Sequence, residues 1–109
     1  MKRPLNENEQ AALREFKDRL QRDFRLVEMR LFGSRAREEG DEASDLDVLV
    51  ILEQDGWDID MAIYDICFDL NLKYDVVLTC VIYSREEFGS GFTRATGFYK
   101  EIERDGIRL

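Results

Sequence analysis

Ser44-Asp45-Leu46-Asp47-Val48-Leu49-Val50-Ile51-Leu52 is the stretch that decides the fold. From Val48 to Leu52 it is apolar and rich in β-branched residues, so it reads as a strand buried on both faces rather than as an amphipathic helix. Side chains alternate along a strand, which sends Asp45 and Asp47 the same way. At about 3.3 Å per residue their Cα atoms lie roughly 7 Å apart, close enough for two carboxylates to converge on one or two Mg²⁺ ions. A buried strand has little other reason to begin with two acids. Upstream, separated from Asp45 by residues 35–44, stands Gly33-Ser34, a phosphate-sized turn.

Working outward, helix and strand alternate. Asn6 with Glu9 three residues on forms a capping box, and Leu13, Phe16 and Leu20 recur at helical spacing, which predicts a helix over 7–22. Residues 25–32 alternate, with Val27, Met29 and Leu31 on one side, and predict a strand running into Gly33-Ser34. Ser34-Arg35-Ala36-Arg37 should open a short helix, and Glu38 to Ala43, with Glu39, Asp41 and Glu42, should be a solvated charged loop. Asp55-Gly56 closes the central strand. Ile59, Ile63, Ile66 and Leu70 predict a helix over 58–71, with Met61, Ala62 and Cys67 near its apolar stripe. Tyr74 to Ile82 reads as a third long strand. Ser84 and Glu87 form a second capping box ahead of Phe88, a Gly/Ser/Thr-rich stretch follows, and a last helix from Phe98 to Arg104 should stop at Asp105-Gly106.

The 109 residues suit a single domain over 1–109, too small for a catalytic unit plus a substrate-gripping one. Sixteen Lys and Arg against 24 Asp and Glu leave a net charge of −8, which repels free nucleic acid. There is no membrane-length apolar run and no apolar signal core near the N-terminus, so a soluble, cytoplasmic protein is expected. Cys67 and Cys80 match no zinc-ligand spacing and read as buried core thiols. The chain has no histidine, which excludes Ser-His-Asp and Cys-His triads and His-liganded zinc. Acid–base work falls to carboxylates, and any metal is a hard, oxygen-liganded ion.

These residues fit a metal-bound nucleoside triphosphate. Gly33 lets backbone approach a phosphate, Ser34 offers a hydroxyl, and Arg35 and Arg37 are the nearest cations. Asp45 and Asp47 would hold Mg²⁺ against phosphate oxygens. Asp75, at the mouth of the third strand, is the candidate third acid for a second metal or for an attacking hydroxyl. Two metals would stabilise in-line displacement at the α-phosphorus, with pyrophosphate leaving. Each piece alone has a bland reading: the acid pair as a strand-end cap, Gly33-Ser34 as an ordinary turn. Trp57 reads as helix-start packing or as a partner anchor, and Phe88, Phe92, Phe98 and Tyr99 read as closing the core or forming an adenine or partner surface.

Gly33-Ser34-Arg35-Ala36-Arg37, Ser44-Asp45-Leu46-Asp47-Val48 and Tyr74-Asp75-Val76-Val77 together resemble the minimal nucleotidyltransferase family of the polymerase-β-like superfamily. The likeness covers nearly the whole chain, the closing segment Phe98 to Gly106 included; Glu38 stands where the family usually has Gly. The resemblance implies an α+β fold, a short mixed β-sheet flanked by helices. It gives the Gly33-Ser34 turn to the phosphates and Asp45, Asp47 and Asp75 to metal and catalysis, while Arg35 and Arg37 read as nucleotide-binding from their position beside that turn. Small members resemble antitoxins of two-gene modules. By that likeness the partner is a HEPN-domain ribonuclease toxin, silenced by AMP carried from ATP to one of its tyrosines. A module that neutralises its partner by docking alone, and transfer to a small molecule such as an aminoglycoside, remain alternatives. Oligomeric state stays open.

Overall fold

The computed structural model describes residues 5–37 and 45–109. The charged loop expected over 38–43 lies outside them. Elements follow in the order α1 (Glu7–Asp23), β1 (Leu26–Phe32), β2 (Leu46–Leu52), α2 (Trp57–Tyr74), β3 (Leu78–Ser84), α3 (Arg85–Phe88), α4 (Gly91–Arg94), α5 (Gly97–Asp105) and β4 (Ile107–Arg108). The sheet runs β3-β2-β1-β4, with β2 antiparallel to β1 and parallel to β3, and β1 antiparallel to β4. A parallel pair needs a crossover, and α2 supplies it. The result is the expected α+β arrangement, a short mixed sheet with helices on its faces.

β2 is central because it is apolar on both sides. Leu46, Val48, Val50 and Leu52 face the core built with Leu13, Phe16 and Leu20 of α1 and with Ile63, Ile66 and Leu70 of α2. Leu49 and Ile51 face the opposite way, against Phe88 and Ile102. Each fully buried aliphatic side chain contributes about 1.5–3 kcal/mol. The second face is closed by aromatic rings, with Phe32 edge-on to Phe98 at 5.2 Å and Tyr83 edge-on to Phe88 at 5.6 Å. Phe88, Phe98 and Tyr99 therefore belong to the core, whereas Phe92 is 87% exposed.

Both capping boxes form, Asn6 with Glu9 and Ser84 with Glu87. Several boundaries differ from the sequence reading. Val27 does not share a face with Met29 and Leu31, because a register shift between Leu26 and Glu28 turns it to the aromatic side. α2 continues through Tyr74, and β3 starts only at Leu78. Trp57, Met61 and Ala62 are exposed on α2 rather than buried, while Cys67 is in the core. Cys80 is half-buried, its Sγ 3.5 Å from that of Cys67. Among the described residues no helix is long and apolar enough to cross a membrane.

Glu9 has a second role beside capping. Its carboxylate takes both outer nitrogens of Arg35, Nη1 to Oε2 at 2.5 Å and Nη2 to Oε1 at 2.8 Å. Arg35 is 2% exposed, so the pair is buried. Removing one partner of a buried pair strands the other and costs about 3–5 kcal/mol. Arg35→Met should therefore lower stability by about that amount in urea or thermal melts, and Arg35→Lys should recover little of it, because a lysine cannot reproduce the two-pronged contact.

At the far end of β2, burial first, then a hydrogen bond and charge repulsion from Glu87, push the Asp55 carboxyl above the usual carboxylate range. A raised carboxyl pKa means stability that is full below the unfolded-state value and declines as pH rises through the folded-state value. Asp55→Asn should thus raise the melting temperature at pH 7 by about 2–4 °C, on the order of 0.5 kcal/mol, with the gain vanishing below about pH 4.

Candidate active site

β1 delivers its last residue, Phe32, opposite Asp47 of β2, so the chain leaves the sheet directly over that carboxylate. Gly33 follows with φ +77°, in the left-handed region that side chains disfavour. A Cβ built there would sit 2.6 Å from Asp47 Oδ2. The carboxylate thus fills the space a side chain would take, which is a second reason for glycine at this position. The Gly33 carbonyl accepts from the N–H groups of Ala36 at 3.1 Å and Arg37 at 3.3 Å. Through Arg37 the segment is a turn rather than the short helix expected. Ser34 sits in it half-buried.

Asp47 is fixed from its other side as well. The parallel register places Thr79 of β3 alongside it, and Thr79 Oγ1 donates to Asp47 Oδ1 at 2.8 Å. One oxygen is oriented by a hydroxyl and the other lies over a glycine, so the carboxylate has little freedom to swing. Asp45 stands exposed one residue before β2, where the Leu46 N–H reaches the Val77 carbonyl at 2.8 Å. Thr79 carries no signature in the sequence, since strand register between segments separated by a helix leaves no local signal.

Asp75 is not on a strand. It caps the C-terminus of α2 in the left-handed conformation, φ 55° and ψ 52°, and is exposed. Among the described residues no three carboxylates or thiols gather as a metal-binding group. The structure seats the Asp47 carboxylate against Gly33, with Ser34 next in the turn and Asp45 one residue before β2, whereas Asp75 stands at the end of α2. Asp47, held by Thr79 and Gly33, and Asp45 just before the strand are the residues that could hold a Mg²⁺, which commonly binds one or two carboxylates and completes its shell with phosphates and water. Among the described residues the three-acid, two-metal set expected is not gathered.

The arginines also differ from expectation. Arg35 turns its guanidinium inward to Glu9 and is a fastener of the turn rather than its open cation. Arg37 is partly exposed and reaches α5, with Nη1 3.0 Å from Glu101 Oε1 and 4.0 Å from Asp105 Oδ2.

Known proteins share this arrangement of chain. A protein of Methanocaldococcus jannaschii named "putative protein adenylyltransferase MJ0604" is 34% identical over 101 residues, covering 91% of this chain and 95% of its own. A solved structure described as a "putative minimal nucleotidyltransferase" superposes with a TM-score of 0.62 at 28% identity, over 92% of this chain and 91% of that one. A toxin–antitoxin structure with AMP-PNP has the same fold, with a TM-score of 0.62 at 19% identity over 95% of this chain and 72% of that one. The nucleotidyltransferase domain model matches residues 13–109. From the glycine turn over Asp47 to the last helix, the chain belongs to the nucleotidyltransferase domain family.

Proposed function

We propose that this protein transfers AMP from ATP to a hydroxyl, expected on a tyrosine, of a partner HEPN-domain toxin, and so acts as an antitoxin. The observation that carries the reading is the Asp47 carboxylate seated on Gly33, which sets a cation ligand against a turn that backbone phosphate contacts can use. Support comes from the relative named as a protein adenylyltransferase and from the fold shared with a toxin–antitoxin structure holding a nucleotide analogue. Asp45 and Asp47 are the residues that would hold Mg²⁺. Bound there, the ion would offset charge on the α-phosphate and on the departing pyrophosphate.

In this reading Gly33 and Ser34 orient phosphate oxygens while Thr79 keeps Asp47 aimed. The acceptor oxygen forms a bond to the α-phosphorus and the α–β phosphoanhydride bond breaks, with pyrophosphate leaving. Without histidine in the chain, the hydroxyl proton passes to a site carboxylate or to water. A second reading is neutralisation by docking alone, since among the described residues no group of three acids gathers as a metal site.

Intact-mass analysis of the partner after incubation with Mg-ATP separates the two. The transferase reading expects an added AMP with the wild type, and about a thousandfold loss of rate in Asp45→Asn with Asp47→Asn, with partner neutralisation lost too. Neutralisation that survives in the double variant, with no mass increase in either case, selects docking.

Graded variants probe the seat itself. Gly33→Ala must displace Asp47 and adopt a strained φ, and should slow transfer about a hundredfold while costing about 1–2 kcal/mol of stability. Thr79→Val removes one hydrogen bond to Asp47 and should slow transfer about fivefold with little change in melting temperature. Initial rates at saturating Mg-ATP give the comparison; equal effects would mean that Gly33 has no special place.

A further inference from the structure

α2 carries two apolar rows, and the fold buries one. Ile63, Ile66 and Leu70 are in the core, whereas Trp57, Met61, Tyr64, Phe68 and Leu72 line the outward side. Their spacing of four, three, four and four residues is that of one continuous helical stripe about 22 Å long. Trp57, Phe68 and Leu72 are 77%, 64% and 71% exposed. A row of five large side chains left in water marks an interaction surface.

Charge decides the occupant. Asp58, Asp65 and Asp69, all exposed, run along one flank of the stripe. A second copy laid antiparallel on α2 about a two-fold axis would bring the two aspartate rows together, and each chain already carries −8. We infer that the outward face of α2 docks a helix of another protein, presenting an apolar row bordered by Lys or Arg.

The stripe also leads toward the catalytic end. Asn71 ties the end of α2 to the start of β3, accepting from the Leu78 N–H at 2.8 Å and donating to the Leu78 carbonyl at 3.1 Å. Leu78 is the register partner of Leu46, which lies between Asp45 and Asp47. A helix seated from Trp57 to Leu72 thus ends at the edge of the candidate site, where a modified partner must present its hydroxyl. The identification of the docked helix with the acceptor rests on the proposed function; the binding itself does not.

The test uses the full chain without nucleotide, so its outcome is independent of whether transfer occurs. Two fluorescein-labelled synthetic helices share a leucine row at helical spacing, one flanked by lysines and its twin by glutamates. Anisotropy should show the lysine peptide binding about tenfold tighter than the twin, and Phe68→Glu with Leu72→Glu should weaken it about tenfold at unchanged circular dichroism. Three results would overturn the inference: no binding of the lysine peptide, equal binding by wild type and variant, or no preference between peptides. So would a dimer of the chain alone, seen by light scattering, that the double variant turns into a monomer, since the stripe would then belong to a second copy.

Discussion

The ion pair between Arg35 and Glu9 is the contact on which the site depends. Desolvating two charges costs several kcal/mol per ion, and the cost is tolerable here because both outer guanidinium nitrogens are paired and Glu9 Oε1 also accepts from the Asn6 N–H at 2.9 Å. What the pair achieves is placement. It pins the turn after β1 to the first turn of α1, and Arg37 pins the same turn to α5 through Glu101. Held from two helices, Gly33 stays over Asp47, and Asp47 stays within reach of Thr79.

That use of arginine changes the electrostatics of the site. A triphosphate approaching a chain of net charge −8 needs local compensation. The Arg35 guanidinium points inward to Glu9, so on the proposed reading compensation at the turn would fall to backbone N–H groups and to a cation on Asp45 and Asp47.

Much of the fold is legible locally. The doubly buried β2 follows from an unbroken apolar run, and both capping boxes follow from three-residue spacings. Gly33 and Asp47 lie within one turn and one strand, so their placement in the fold follows from local pattern. That of Asp75 does not, for a definite reason. Tyr74-Asp75-Val76-Val77 has strand propensity, yet the helix before it runs on until Asp75 adopts the left-handed cap, and pairing waits for Leu78. Arg35 and Thr79 depend on partners in α1 and β2, contacts that no local pattern encodes. The bulge that turns Val27 away from Met29 is equally a matter of pairing.

α2 shows the same limit in a different form. Its two apolar rows lie on nearly opposite sides of the helix, so its sequence alone does not choose which goes inward. The sheet chooses, because a helix lying on one face of β2 and β3 can present a single row to it. The other row is then left in solvent at the expense of solubility, a cost that a partner surface would offset. On the proposed reading a protein acceptor is held against this surface, and a rigid helix that ends near the start of β2 is where such a hold has the most leverage on geometry.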